Sequence, residues 1–366
     1  MAERKPVSRR QAPRTDVVAG AGLKTTSVYD TYWQFAAKRQ ELFMRRVEGA
    51  RPPWTTDPVL SSYRFTNAYR ASDRVSQYLI RNVLYAGSQN ADEVFFRTLL
   101  FKLFNRIETW ERLVAALGSP SWRIFDVERY AQVLDATMVS GEPIYSAAYI
   151  MPSPSFGSPR KHRNHLQLLD YMMRDGVVLR IAKAPSLKDA FDILRGYPSL
   201  GDFLAFQFAI DLNYSELTDF SEMDFVVAGP GARDGIRKCF SDAGGFSDAE
   251  IIRMVAERAS FEFDRLGLSF QTLWGRPLQL IDCQSLFCEV DKYARLVHPE
   301  IKGKSGRIRI KQRFSPNQNP IPQWYPPKWG LRIPSEVSDS PTLQRLPRQQ
   351  VMGLGALAHT LPVATA

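Results

Sequence analysis

The sequence is poor in cysteine and has no long apolar run. Three cysteines among 366 residues, Cys239, Cys283 and Cys288, are too few for a disulfide framework and indicate a reducing compartment. No apolar stretch approaches the ~18 residues of a membrane-spanning helix, and the first residues lack the apolar segment of a signal peptide. We therefore expect a cytoplasmic protein that makes no membrane contact.

Acidic residues are scarce at both ends of the chain. Residues 1–27 hold six Lys/Arg and two Asp/Glu, and residues 301–366 hold ten and two, whereas residues 28–300 hold 32 and 34. This division predicts a disordered basic tail, a folded catalytic region and a basic, proline-rich C-terminal extension. Basic segments beside a near-neutral body are typical of proteins that bind a polyanion such as DNA, although a role in solubility alone also explains them.

Apolar residues recur three and four positions apart over much of the chain, a spacing that predicts helices. Strand-like alternation is rare, so the predicted class is mainly α. We expect a loop at 141–160, alone or with a short strand, and helices at 28–47, 91–117, 166–173, 187–194, 203–212 and 247–266, the last capped by Ser247 or Asp248.

The stretch "FVVAGPGARDGIRKCF" places a Gly-Pro-Gly turn between two expected helices, at about 216–240. This pattern is typical of a helix–hairpin–helix, in which glycines permit close backbone approach and the N–H groups of the second helix bind a DNA phosphate. An ordinary helix–helix turn is the alternative. The predicted DNA-binding residues are Gly229, Gly231, Arg233, Arg237 and Lys238.

The stretch "LQLIDCQSLFCEVDKYARLV" (278–297) begins as an apolar run and continues as an amphipathic helix. On a helical wheel Asp282, Glu289 and Lys292 lie beside the apolar stripe, where a helix meets a cleft. We predict these three residues as catalytic. The structural alternatives are a helix cap at Asp282 and a plain i,i+3 ion pair between Glu289 and Lys292.

Residues 63–81 are rich in arginine and contain no lysine or glutamate. If this stretch is helical, Asn67, Arg70 and Arg74 share one face, and Arg64 precedes it. Several guanidinium groups on one stripe suit a phosphate or pyrophosphate group. A solvated basic face is the alternative interpretation.

The stretch "SPRKHRNHLQLL" (158–169) places Lys161, His162 and His165 before a helix. The HxxH spacing supplies too few ligands for a metal ion, so anion binding or proton transfer near pH 7 is the preferred interpretation. Two surface histidines are the alternative. We predict no metal site and no cofactor, with a Mg²⁺ requirement left open.

The tripeptide "GKS" at 303–305 resembles the end of a phosphate-binding loop. The full pattern requires glycine five positions before Gly303, where His298 stands. We therefore reject a nucleotide-binding loop at this position.

Six stretches together resemble one family, the α-glutamyl/putrescinyl-thymine pyrophosphorylase clade of amino acid:DNA transferases, over residues 28–313. They are "YWQFAAKRQELFMRR", "PWTTDPVLSSYRFTNAYRASDRVSQYLIR", "LFKLFNRIETWERL", "KHRNHLQLL", "YPSLGDFLAFQFAIDLNYS" and "LQLIDCQSLFCEVDKYAR". The resemblance implies a fold related to the helix–hairpin–helix DNA glycosylases, in which Asp282 matches the aspartate at the flipped nucleotide. The lysine of bifunctional glycosylases falls near Arg233, which cannot form a Schiff base.

The resemblance implies hypermodification of thymine in phage DNA. An amine from an amino acid such as glycine, or from a polyamine, displaces pyrophosphate from 5-pyrophosphoryloxymethyluracil in a base taken out of the stack. Asp282 or Glu289 is the expected base, and Lys292 the group that holds the donor's carboxylate. The expected pyrophosphate-binding residues are Arg64, Asn67, Arg70, Arg74, Lys161, His162 and His165. A glycosylase that excises a modified base and a non-catalytic DNA-binding protein are the alternatives.

Overall fold

The computed structural model describes residues 22–315 and 322–334, and this part of the chain is mainly helical. The predicted class is therefore confirmed. The helices are α1 (Ser27–Val47), α2 (Pro58–Ser62), α3 (Arg74–Leu79), α4 (Ala91–Phe104), α5 (Ile107–Leu117), α6 (Val127–Val139), α7 (Lys161–Arg174), α8 (Val177–Ala182), α9 (Leu187–Arg195), α10 (Asp202–Asn213), α11 (Pro230–Cys239), α12 (Asp248–Glu257), α13 (Ala259–Arg265) and α14 (Leu280–Val297).

Two short strands, β1 (Lys24–Thr25) and β2 (Phe240–Asp242), form an antiparallel pair. The pairing continues into a hydrogen bond from the Thr26 N–H to the Cys239 carbonyl at 2.8 Å. The pair therefore joins the start of α1 to the end of α11.

The first and last long helices pack together in the core. The Tyr32 ring on α1 lies 4.6 Å from the Phe287 ring on α14, and the Tyr32 hydroxyl donates to the Cys283 carbonyl at 3.2 Å. Both rings are fully buried. Burial of such rings supplies much of the free energy that holds α14 in place.

Glycines allow α11 to lie directly against α14. A Cβ at Gly235 would overlap the backbone carbonyl of Phe287, and one at Gly231 would overlap the Cys288 sulfur. The glycines of the "GPGARDG" stretch therefore serve helix packing, where only glycine permits this approach.

Several predicted elements are confirmed. Helix α1 ends at Val47, before Gly49 with its φ of 78°, and the stretch 141–160 contains no helix or strand before α7 begins at its end. Helix α12 is capped by Ser247, whose side chain forms a capping box with Glu250. The three cysteines are free thiols. Helices α6 and α8 were not predicted.

Two predicted helices are each divided in two. The expected helix 91–117 ends at Asn105, which has a left-handed φ of 49° and accepts a hydrogen bond from the Lys102 ammonium at 2.8 Å. The expected helix 247–266 is interrupted at Arg258. The apolar spacing continues through both breaks, so periodicity alone did not reveal them.

The predicted helix–hairpin–helix is wrong in its first half. Helix α11 begins at Pro230 as expected, but residues 214–229 form turns and irregular chain. The Asn213 side chain organises these turns, because its oxygen accepts from the Phe220 N–H at 2.8 Å and from the Thr218 hydroxyl at 3.1 Å. Such side-chain bonds to the backbone compete with a helix.

The C-terminal extension is partly packed on the body. Phe314 donates its N–H to the Ser62 carbonyl at 3.1 Å, and Gln323 and Tyr325 are buried. Within the described ranges, no helix combines the length and apolar character needed to cross a membrane.

The close approach of α11 and α14 predicts a strong effect of one methyl group. We expect Gly235→Ala to lower the free energy of unfolding by about 3 kcal/mol or more, because the added carbon overlaps rigid backbone. Gly201→Ala is the matched control, since no atom lies within 4 Å of its added carbon, and should cost less than about 1 kcal/mol. Urea denaturation measures both, and equal losses would contradict the packing described.

Candidate active site

A buried carboxylate on α10 lies between two buried cations. Asp211 Oδ1 is 2.8 Å from an Arg70 terminal nitrogen, and its Oδ2 is 3.0 Å from the Lys102 ammonium. All three side chains are almost fully excluded from solvent. The ion triad joins α10 to α4 and to the short 3₁₀ turn Arg70–Ser72.

Neutral polar groups fix the orientation of the Arg70 guanidinium. Its Nε donates to Gln207 Oε1 at 3.1 Å, and another nitrogen donates to the Tyr214 hydroxyl at 3.2 Å. The Tyr149 hydroxyl also donates to Gln207, at 3.3 Å, and the Tyr149 ring faces Lys102. Burial lowers the pKa of Lys102, and the charge of Asp211 opposes this effect.

Asp282 lies next to this triad at the start of α14. Its Oδ1 accepts the Arg70 N–H at 2.8 Å, and its Oδ2 accepts the Gln279 N–H at 3.0 Å. The helix-cap alternative for Asp282 is wrong in position, because the N-cap of α14 is Gln279. Asp282 is the third residue of the helix, and its side chain closes the capping box by accepting the Gln279 N–H. Burial raises the pKa of Asp282 to about 6.

Two further carboxyls near Arg70 have raised pKa values. Burial raises the pKa of Asp73 to about 7, although Asp73 accepts the Asn67 N–H at 2.7 Å. Burial and the charge of Asp282 raise the pKa of Glu222 to about 7, against the opposing effect of Arg276 at 2.9 Å. Three carboxyls in one region therefore change protonation near neutral pH, which is typical of functional sites.

An aromatic segment, residues 322–334, packs over these groups, and we call it the C-terminal strap. The Tyr325 hydroxyl shares a 2.7 Å hydrogen bond with Ser72. The Trp329 ring lies 5.5 Å from the Tyr214 ring, and the Arg276 guanidinium stacks on Trp329 at 3.9 Å. The strap therefore excludes water from the residues that surround Arg70.

The predicted arginine stripe of 63–81 is wrong. The chain forms a 3₁₀ turn, α3 and the π-helix Ile80–Leu84, with an irregular stretch before them. The Asn67 amide donates to the Ser72 carbonyl at 2.6 Å, a local bond that competes with a helix. Arg70 is buried, whereas Arg64 and Arg74 are exposed, so these arginines do not form one site.

Glu289 and Lys292 form the plain ion pair that was the structural alternative, with 2.6 Å between Nζ and Oε2. Glu289 Oε2 also accepts the Thr66 N–H at 3.0 Å. Seven helical residues separate Glu289 from Asp282, about 10 Å along the axis. These two of the three carboxylates of α14 thus hold two points of the irregular chain, Thr66 and Arg70.

The side chains of the predicted cluster at 158–169 are engaged in the fold. The Tyr145 hydroxyl donates to His165 Nδ1 at 2.7 Å, and His165 Nε2 donates to the Pro152 carbonyl at 2.9 Å. Burial lowers the pKa of His165 to about 4, so proton transfer by His165 near pH 7 is not supported. His162 Nε2 lies 2.9 Å from Asp135, and Lys161 stacks on Tyr145.

The predicted DNA-binding residues at and after the Gly-Pro-Gly turn divide into three groups. The prediction that Lys238 binds DNA is wrong, because Lys238 is buried and its ammonium lies 2.8 Å from Asp291 Oδ1. Arg233 and Arg237 reach solvent beside Asp248, at 3.6 and 3.9 Å. Gly229 and Gly231 pack against the Phe203 ring and Cys288.

Sequence reasoning missed several residues of this site. Asp211 and Gln207 lie four positions apart in the apolar stretch "FLAFQFAIDLN", and Lys102 lies in "FFRTLLFKLF". A charge inside an apolar helix needs a buried partner, and this signal was available. The missed residues are Asp73, Lys102, Tyr149, Gln207, Asp211, Tyr214, Glu222, Arg276 and Tyr325.

The tripeptide at 303–305 contacts a carboxylate. The Ser305 N–H lies 3.2 Å from Asp234 Oδ2, and Gly303 lies beside the same side chain. A carboxylate in this place repels phosphate, which supports the rejection of a nucleotide-binding loop here.

Residues 26–303 match the family described as "5-hmdU DNA kinase, helical domain". The chain belongs to this family. A relative from Bacillus phage SP10, named 5-hmdU DNA kinase, is 29% identical over 314 residues, which cover 78% of this chain and 49% of the relative. The chain thus spans about half the length of the curated relative that it matches, and no solved structure matches it significantly. The pyrophosphorylase clade and the glycosylase relationship stay predictions.

The ion triad predicts a large penalty for loss of its carboxylate. We expect Asp211→Asn to lower the free energy of unfolding by about 3–5 kcal/mol, since two buried cations lose their partner. Lys102→Met in the same chain should recover part of this loss. The control is Asp192→Asn, which removes an exposed pair with Lys188 and should cost below ~0.5 kcal/mol. Urea denaturation at pH 7 measures all four proteins, and a full loss retained in the double variant would contradict the account.

The raised pKa of Asp282 predicts a pH-dependent stability. The folded state holds the proton more tightly than the unfolded state, so this contribution is complete below about pH 4 and disappears as the pH passes about 6. Asp282→Asn removes it. The deficit of the variant should therefore shrink from pH 4 to pH 7 by on the order of 2 kcal/mol, as measured by denaturation at each pH. For Asp264→Asn, at an exposed aspartate, the free energy of unfolding should depend on pH as it does in the parent protein. A deficit that does not change with pH would refute the assignment.

Proposed function

We propose that this chain hypermodifies thymine in DNA by transferring an amine onto the 5-methylene carbon of 5-pyrophosphoryloxymethyluracil, with release of pyrophosphate. The observation that carries this proposal is a group of three carboxyls around Arg70 with pKa values of about 6 to 7. Glu222 and Asp282 are buried, and Asp73 is partly buried. The family name supports a modified thymine in DNA as the substrate.

The chemistry needs a base that operates at neutral pH. The nitrogen lone pair of the amine attacks the methylene carbon, the bond from that carbon to the pyrophosphate oxygen breaks with its electron pair, and the nitrogen loses a proton. A carboxylate with a pKa near the working pH is an efficient acceptor for that proton. Asp282 already accepts two backbone N–H groups, so Asp73 and Glu222 are the better placed acceptors.

The leaving pyrophosphate needs positive charge in a site that excludes water. Arg70 and Arg276 flank the carboxyls, and Lys102 adds a third cation. Fixed cations in a water-poor site stabilise a developing anion more than the same cations in water do. The strap closes over these groups, so we propose that it moves when a flipped base enters.

The kinase reaction named for the phage relative has less support in this chain. The one stretch that resembles a nucleotide-binding loop, residues 303–305, lies against Asp234. The relative also has about twice the matched length. We therefore treat phosphoryl transfer as a competing reaction, which the experiment below distinguishes from amine transfer.

Incubation of duplex DNA that contains 5-pyrophosphoryloxymethyluracil with amino acids and polyamines tests the proposal. We expect mass spectrometry of the digested nucleosides to show an added amine in place of pyrophosphate. Glu222→Gln or Asp73→Asn should lower the rate by about 10²-fold or more, whereas Glu257→Gln, at an exposed glutamate, should leave it unchanged.

Three outcomes would overturn the proposal. Abasic sites would indicate a glycosylase. A phosphorylated nucleoside formed from 5-hydroxymethyluracil DNA and ATP, without any amine product, would indicate the kinase reaction. Tight binding of the modified DNA with no new nucleoside would indicate a non-catalytic binding protein.

A further inference from the structure

A surface segment outside the candidate active site carries charge of one sign. Residues 302–313, which we call the basic track, contain six cations and no acidic residue. Every one of the six is exposed. They are Lys302, Lys304, Arg307, Arg309, Lys311 and Arg313.

The backbone of the track is held against the body. The Gln312 carbonyl accepts the Arg64 N–H at 3.1 Å, and the Arg309 carbonyl accepts from Arg295 at 2.9 Å. The Ser305 N–H binds Asp234, as described above. Ile310 is partly buried and packs against the core. The track, which is the first part of the predicted basic C-terminal extension, is therefore held at the surface of the body.

The cationic groups of the track point to solvent. Arg313 stacks on the Tyr63 ring at 4.5 Å, but Arg307, Arg309 and Lys311 use no side-chain nitrogen in an ion pair or hydrogen bond with the described part of the chain. A row of fixed, unneutralised cations repels itself, which is unfavourable unless an anion binds.

The spacing of the cations suits a nucleic-acid backbone. The chain has no helix, turn or bend from Arg307 to Gln312. Extended chain advances about 3.3 Å per residue, so alternate residues from Arg307 to Arg313 follow one another at about 7 Å over about 20 Å. One DNA strand advances about 3.4 Å per phosphate, and this length therefore spans about six phosphates.

We propose that the basic track binds the phosphate backbone of the substrate DNA outside the site of chemistry. The proposal rests on the proposed function only in that the substrate is DNA. Arg64 lies beside the track through its bond to Gln312 and is exposed, so it belongs to this surface and not to a pyrophosphate site. Contacts of this kind position a duplex and carry no base specificity.

The test is the salt dependence of binding to unmodified duplex DNA, measured by fluorescence anisotropy. The track variant combines Arg307→Gln, Arg309→Gln and Lys311→Gln. We expect the slope of log Kd against log salt concentration to fall by about 2 to 3, because each lost phosphate contact contributes about 0.9. The control variant combines Arg123→Gln, Arg129→Gln and Lys183→Gln, three exposed cations elsewhere, and should keep the parent slope.

An unchanged slope in the track variant, or an equal fall in both variants, would overturn the proposal. Because the mutated side chains are exposed, thermal unfolding should be unchanged for both. If the parent protein transfers no amine while the track variant alone loses salt dependence, the proposed chemistry fails and the DNA-binding surface stands.

Discussion

A single buried carboxylate holds together three parts of this protein that are distant in sequence. Asp211 binds Arg70 and Lys102, and these two cations are almost fully buried. Charges buried in this way are tolerated only where geometry and hydrogen bonds compensate for lost hydration. Gln207, Tyr214 and Asn105 supply those bonds. The position of the irregular chain near Arg70, and therefore of the raised-pKa carboxyls, depends on this arrangement.

Two carboxylates of α14 act on the same stretch of chain. Asp282 accepts the Arg70 N–H and Glu289 accepts the Thr66 N–H. The polar stripe of α14 therefore supplies hydrogen bonds that residues 66–70 would have made internally if they formed a helix. Burial of a backbone segment without regular structure requires such partners. The stripe thus has a structural role even if one of its members also takes part in chemistry.

The sequence allowed prediction of local elements better than of the site. The helices α1, α7, α9, α10 and α14 follow from apolar spacing, and the Ser247 cap follows from its capping box. The partners of Arg70 could not be predicted, because Asp211 and Asp282 are brought to it by tertiary packing. The prediction of an arginine stripe failed because the Asn67 amide forms a local hydrogen bond with the Ser72 carbonyl, which residue spacing does not reveal. The prediction for Lys238 failed because its buried partner Asp291 lies on α14, which the spacing of residues in α11 does not reveal.

The strap is part of the same chain as the groups that it covers, and this has a consequence for affinity. Trp329 packs against the Tyr214 ring, so in the proposed reaction the strap would act as a tethered competitor for a base that enters this face. Short tethers give effective concentrations on the order of millimolar. A ligand on this face therefore binds with an apparent affinity reduced by the fraction of time that the strap occupies it. In the proposed reaction the strap, which lies outside the family match at residues 26–303, would therefore set the substrate concentration that is needed to reach Glu222 and Asp282.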